Sequence, residues 1–133
     1  MVWHRLVEDR DGSGAIDAFL RVGVAQSHLN PVGTYAGTGI VVTGLLDARP
    51  EDQFGLSVAH ARTGRPLRRA STIGGAAVTR HETVFEATYR AQLTDWLTVQ
   101  PDAQVIVHPG FDPSARHSLV IGARFEIAPP IFR

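Results

Sequence analysis

Cysteine is absent, so neither a disulfide framework nor a thiolate metal site is open to this chain. That absence identifies no compartment. Net charge is missing as well. Thirteen basic and thirteen acidic side chains cancel, so the overall balance makes no electrostatic case for nucleic acid or anionic lipid. No run approaches the roughly 20 consecutive apolar residues of a membrane helix, which excludes a helical span and leaves a β-span open. The opening residues, Met1-Val2-Trp3-His4-Arg5-Leu6, have no long apolar stretch and no small-residue cleavage site, so they do not read as a secretory signal. Lysine is absent and methionine occurs once, against 13 Gly and 8 Pro, a balance that favours strands and turns over helices. What is present suits one folded domain over residues 1–133: 44% apolar and 20% charged is too apolar for a disordered tail.

The recurring pattern is period-2 alternation in runs of about ten residues separated by turn chemistry. In 117–127, Leu119, Ile121, Ala123, Phe125 and Ile127 share one face, against Ser118, Gly122, Arg124 and Glu126. In 95–108, Leu97, Val99, Ala103, Val105 and Val107 oppose Thr98, Gln100, Asp102, Gln104 and His108. In 82–93, Phe85, Ala87, Tyr89, Ala91 and Leu93 oppose Glu86, Thr88, Arg90 and Gln92. Weaker runs cover 53–62, the Gly-rich 35–46, whose parity stays open, 15–25, with Leu20, Val22 and Val24 against Asp17, Phe19, Arg21 and Gly23, and 2–8. The pattern predicts seven strands and no helix.

The connectors differ in length. Asp9–Gly14, Asp47–Asp52 and Thr94-Asp95 are short and rich in Asp, Gly and Pro, whereas Gln26–Gly33, Thr63–Arg80 and Pro109–Arg116 are longer. With strand direction reversing each time, the short turns gather at one end of the sheet and the long loops at the other. That is the layout of outer-membrane barrels, and a soluble meander can also show it. The alternation itself has two readings. A half-buried antiparallel sheet turns its apolar face to a core and its polar face to water. An inside-out sheet turns the apolar face to lipid and lines an aqueous lumen with the polar one. Run length favours the second, because soluble strands average about 5–6 residues and spanning strands about 9–11. Aromatic residues at Phe54, Phe85, Tyr89, Trp96 and Phe125 suit interfacial girdles.

The stretch Glu82-Thr83-Val84-Phe85-Glu86-Ala87-Thr88-Tyr89 through Trp96-Leu97-Thr98-Val99-Gln100-Pro101-Asp102-Ala103-Gln104 resembles the E-x-x-x-E-x-x-Y…W…Q-P-D-x-Q signature of the carbohydrate-selective porins of bacterial outer membranes. Further segments resemble the same family in the same order: Phe19-Leu20-Arg21-Val22-Gly23, then Gly39 to Leu45 with Arg49-Pro50-Glu51-Asp52, His108-Pro109-Gly110, and Leu119 to Arg124. The resemblance spans about residues 15–127. It implies an all-β, antiparallel up-and-down transmembrane barrel of about sixteen strands, of which this chain is the C-terminal portion of about seven. It also implies passive, substrate-preferring diffusion of carbohydrate, a place in the outer membrane, and as partners the sugar, the lipid and the remaining N-terminal strands. An odd, open sheet in lipid leaves backbone groups unsatisfied, which agrees with a fragment, as does a Met1 abutting a strand.

The candidate sugar contacts on the polar face are Arg21, Glu86, Arg90, Asp102, Gln104, Arg124 and Glu126. Guanidinium and carboxylate groups in alternation offer donors and acceptors to sugar hydroxyls; the plainer reading is cross-strand ion pairing that keeps the face solvated. Trp96 suits an interfacial anchor better than a stacking platform. Pro101, in the best strand, removes a ladder donor and suggests a bulge. The six histidines, His4, His28, His60, His81, His108 and His117, have no H-x-H or H-E-x-x-H spacing, so no metal site is expected. No nucleophile elbow or phosphate-cradling glycine loop occurs, and the expectation is no enzyme and no cofactor. Barrels of this class commonly end on an aromatic residue; here Pro129 and Pro130 precede Phe132-Arg133, which leaves Phe125 as the candidate equivalent. A small soluble ligand- or partner-binding β-sheet is the competing reading.

Overall fold

The structure, a computed structural model, describes residues 2–8, 14–26, 29–75 and 77–128. The predicted Asp9–Gly14 turn, apart from Gly14, and the Pro129–Pro130 ending lie outside them. Seven strands form one sheet: β1 (Val2–Glu8), β2 (Ala15–Val24), β3 (Val32–Thr43), β4 (Gln53–Thr63), β5 (His81–Thr94), β6 (Leu97–Val107) and β7 (His117–Ile127). Their spatial order is their chain order and every neighbouring pair is antiparallel. The sheet is open, with β1 and β7 at its edges.

The elements depart from expectation at a helix and at the third strand. A helix, α1 (Arg65–Gly74), stands in the β4–β5 connection, with Pro66 in its first turn and Gly75 closing it at φ 70°. Proline tolerates the first helical turn and glycine the left-handed cap. Leu67, Ala70 and Ile73 do recur at helical spacing against Arg65, Arg68 and Arg69, but over ten residues set in a long connector that period is short. The third strand runs 32–43 rather than 35–46. Gly44, at φ 71°, turns the chain out of the ladder and donates to the Asp52 carbonyl at 3.0 Å. Leu45 and Leu46 therefore sit in the turn, about half exposed. As a result the 25–31, 44–52 and 108–116 connections are alike in size, and the length contrast is sharp only between 64–80 and 95–96.

Register settles the parity left open in β3. The pairs Glu86↔Gln104, Glu86↔Ser57, Ser57↔Gly39 and Gly39↔Phe19 place one residue set on the polar face across β2 to β6, and Asp102↔Gly122 extends it to β7. Leu20↔Thr38, Thr38↔Val58, Val58↔Phe85, Phe85↔Val105 and Val105↔Leu119 trace the other face. No bulge forms at Pro101. Both flanking ladders keep their register past it, although the β5 pairing is interrupted between Thr88↔Asp102 and Ala91↔Val99, where proline has no N–H to give.

Among the described residues no second layer covers either face. Among the described residues only Ala91 and Phe111 are buried apolar side chains, while Leu119, Ile121 and Phe125 are 66%, 76% and 66% exposed. A soluble sheet would bury that face against a second layer. The apolar row meets aromatic side chains at the short-turn end, where Phe54 pairs with Tyr89 and Phe125 with Val99. Phe85, expected in such a girdle, instead lies at mid-height between Val58 and Val105.

Candidate functional site

The polar face is built by strand alternation, which sends every second side chain of β2 to β7 into the same half-space. Its middle carries a recess of about 140 Å³ lined by Glu86, Thr88, Gln100, Asp102, Gln104 and Arg124. Gln104 Nε2 reaches Asp102 Oδ2 at 3.5 Å. The Asp102 carboxylate lies over Gly122, where an added Cβ would stand 2.7 Å from Oδ1. The glycine leaves the room the carboxylate fills. Arg124, the Cα partner of Gln100, is exposed beside it. Donors and acceptors therefore alternate within one small concavity, the arrangement a polyhydroxylated solute can match.

Four of the seven predicted residues, Glu86, Asp102, Gln104 and Arg124, meet there. Arg90 and Glu126 do not. They pair with each other toward the short-turn end, Nη2 to Oε2 at 3.2 Å, both partly exposed. Such a pair is worth about 0–1 kcal/mol, so it leaves both groups open to exchange partners with a solute. Arg21 stands apart on β2, opposite Gly37. It borders a second recess of about 290 Å³ that also takes in Phe19, Tyr35, Glu86, Thr88 and Gln100.

The residues that sequence reasoning missed are Phe19, Tyr35, Thr88 and Gln100. Gly37, Gly39 and Gly55 form adjacent polar-face positions on β3 and β4, and their missing side chains leave a bare lane of wall. Aromatic rings lie on it. A Cβ on Gly39 would meet the Phe19 ring at 2.6 Å, and one on Gly37 the Tyr35 hydroxyl at 2.8 Å. The Thr88 hydroxyl covers Gly55 in the same way, at 2.6 Å. Polar-face glycines beside aromatic residues were the available signal, hidden until the parity of β3 was known.

The short-turn end holds a buried carboxylate. Asp52, only 4% exposed, accepts from the Arg49 guanidinium, from the Tyr89 hydroxyl at 2.6 Å and from the Gln92 amide at 3.2 Å. Hydrogen bonding by Arg49, and then by Tyr89 and Gln92, outweighs burial and holds its pKa down at about 2. At the long-loop end, His60 stacks on His81 with centroids 5.6 Å apart, and His108 meets His81 edge-on at 5.9 Å. No metal-binding group of His, Asp and Glu occurs among the described residues.

Comparison with known proteins supplies the context. The profile of the "Carbohydrate-selective porin, OprB family" matches residues 3–128. Porin B of Pseudomonas aeruginosa is 29% identical over 129 residues, covering 87% of this chain and 28% of that protein. A high-pH structure of Pseudomonas putida OprB superposes with a TM-score of 0.83 at 25% identity, over 94% of this chain and 33% of the other. The chain thus spans about a third of the length of the relatives it matches.

Proposed function

Because the chain belongs to the carbohydrate-selective porin, OprB family, we propose that its seven strands form part of the wall of a closed barrel of about sixteen. Carbohydrates diffuse through that barrel passively across a bacterial outer membrane. The observation that carries this reading is the pair of uncovered faces on one sheet. One is exposed and apolar, as lipid contact requires; the other holds a recess of mixed amide, hydroxyl, carboxylate and guanidinium groups. The remaining strands are the partners that close the edges at β1 and β7, and outer-membrane lipid is the solvent of the apolar face.

Selectivity on such a wall works at short range. A neutral sugar offers no charge to attract over distance. It exchanges water for donors on Arg124, Gln100 and Gln104 and for acceptors on Glu86 and Asp102, each contact worth about 0.5–1.5 kcal/mol net. Arg21, Arg90 and Glu126 extend the same chemistry to either side. The test is sugar-dependent block of ion current through the complete porin in planar bilayers. Saturable block by neutral hexoses or their oligomers supports the proposal, and current indifferent to every sugar refutes it.

A further inference from the structure

Strand alternation on a lumen wall puts polar groups at the inward positions, and one area of this wall breaks the rule. Toward the long-loop end the inward residues of β3, β4 and β5 include Tyr35, Gly37, Ala59, Ala61 and Val84, paired as Tyr35↔Ala61 and Gly37↔Ala59↔Val84. Gly23, the Cα partner of Tyr35, continues this island into β2, and Ile106, the partner of Val84, into β6. Glu82 bounds it beside Ala61, with its carboxylate accepting from the Gly110 amide at 2.5 Å. The neighbours of Tyr35 on this face, Gly23, Ala61 and Gly37, are all small, so its ring stays half-buried and lies along its own strand. A Cβ on Gly37 would stand 2.8 Å from the Tyr35 hydroxyl and 3.3 Å from Cζ. Arg21, exposed, is the Cα partner of Gly37, and one inward position further along β4 and β5 Ser57 pairs with Glu86. The recess of about 290 Å³ bordered by Phe19 and Tyr35 thus has aromatic and apolar walls, a guanidinium on one rim and a carboxylate on the other.

We propose that Tyr35, with Phe19 beside it, forms a stacking subsite for the C–H face of a pyranose ring, while Arg21 and Glu86 hold hydroxyls at the ring's edge. This rests on the transport reading and deepens it, because it makes Tyr35 a determinant of specificity. The C–H bonds on the face of a pyranose are weakly positive and suit the negative face of an aromatic ring. The island around Tyr35 holds water poorly, so a solute that covers it displaces water at little cost. The glycines beneath keep the ring in place before the solute arrives, which reduces the ordering cost of binding. Hydrogen bonds alone read hydroxyls, and a cyclic sugar and its open-chain alcohol carry much the same hydroxyls. Only the cyclic sugar has a rigid C–H face, so stacking is what tells the two apart. With the long loops toward the cell exterior, an entering sugar meets this subsite before the Asp102–Gln104 recess. Glu86, Thr88 and Gln100 border both recesses, so a sugar passes from one to the other along shared partners.

The experiment compares block of ion current by glucose and by its open-chain alcohol, sorbitol, through the complete porin in planar bilayers. The parent should bind glucose more tightly than sorbitol. Tyr35→Ser should weaken glucose block about 3- to 10-fold, the worth of one aromatic contact, and leave sorbitol block within about 2-fold. Tyr35→Phe keeps the ring and should hold glucose block within about 2-fold of the parent. Arg21→Gln should weaken both solutes alike, because both carry the hydroxyls it reads. Should Tyr35→Ser fail to reach the folded barrel, Tyr35→Leu keeps an apolar side chain without an aromatic face and should lose the same preference for the cyclic sugar. Glucose block that survives both Tyr35→Ser and Tyr35→Leu, or equal losses for glucose and sorbitol, overturns the subsite while the transport reading stands. A rise in open-channel conductance in Tyr35→Ser with glucose block unchanged also overturns it, by showing that another segment of the barrel seats on the island. A parent barrel that no sugar blocks refutes the transport reading itself and takes the subsite with it.

Discussion

The Tyr89 hydroxyl donates to the Asp52 carboxylate at 2.6 Å, tying the β3–β4 turn to a strand 37 residues further along the chain. Arg49 closes the arrangement by donating to Asp52 and, at 3.1 Å, to the Gln92 carbonyl. The Tyr89 ring belongs to the apolar row while its hydroxyl reaches the turn, the double character that suits tyrosine to a membrane interface. Tyr89→Phe removes one of the hydrogen bonds to a buried, charged carboxylate and should cost about 1–3 kcal/mol. Urea-unfolding midpoints of the barrel in detergent or lipid provide the check, and an unchanged midpoint would show the bond to be idle.

The same carboxylate predicts an acid limb. Asp52 titrates at about 2 in the folded chain against 3.8 ordinarily, because Arg49, Tyr89 and Gln92 favour its charged form. A depressed folded pKa contributes stability that is complete above the unfolded value and disappears as pH falls through the folded one. Stability should therefore drop between about pH 4 and pH 2, with the Asp52→Asn variant weaker at neutral pH and flatter across that window. Parallel pH profiles for the two proteins would assign the acid limb to other carboxylates.

Site-directed labels can read the two faces. Probes at Leu119, Ile121 and Ala123 should meet lipid, and probes at Ser118, Gly122 and Arg124 should meet water, since β7 keeps unbroken register with β6 from Leu97↔Ile127 to Val107↔His117. Lipid accessibility at both sets would contradict the facing.

Much of this was legible in the sequence because alternation is a direct imprint of a two-faced strand. Leu119 to Ile127 and Phe85 to Leu93 fell on their observed faces. Helix α1 was missed although Leu67, Ala70 and Ile73 follow a 3.6-residue period, because the segment is short and its apolar stripe is left largely exposed, with Ile73 88% exposed, so it reads as a polar connector. The parity of β3 was hidden by Gly37 and Gly39, which carry no side chain to betray a face. Within the candidate site, parity found Glu86, Asp102, Gln104 and Arg124. It also grouped them with Arg21, Arg90 and Glu126, because a face is readable from parity while position across several strands needs register.

Lumen substitutions separate these groups. Arg124→Ala removes a recess donor and should weaken sugar block about 3- to 10-fold. Arg90→Ala removes a group already paired with Glu126 and should act less on sugar. Both should shift ion selectivity toward cations as positive charge leaves the lumen. Reversal potentials and block constants in planar bilayers measure the two effects separately. If neither quantity moves in either variant, the arginines only pair across strands.

Gly122→Ala should disturb the recess without changing charge. Its new Cβ would press on Asp102 Oδ1 from 2.7 Å, so the carboxylate must swing away from Gln104. Sugar block should weaken while cation selectivity stays near the parent value. Unaltered block would show that Asp102 does not need this position.

The glycine lane has a consequence for the noise of the pore. Where Gly37, Gly39 and Gly55 leave the wall to backbone, with the Phe19 and Tyr35 rings pressed against it, little can move on the timescale of a passing solute. Across the same sheet, Arg90 and Arg124 keep long, half-solvated side chains with many rotamers. Open-channel current fluctuations should therefore originate from the arginines, with Arg21, opposite Gly37 at the edge of the lane, as the one such source on that side. The lane is the quiet bank of the stream, and shortening Arg90 and Arg124 should calm the other.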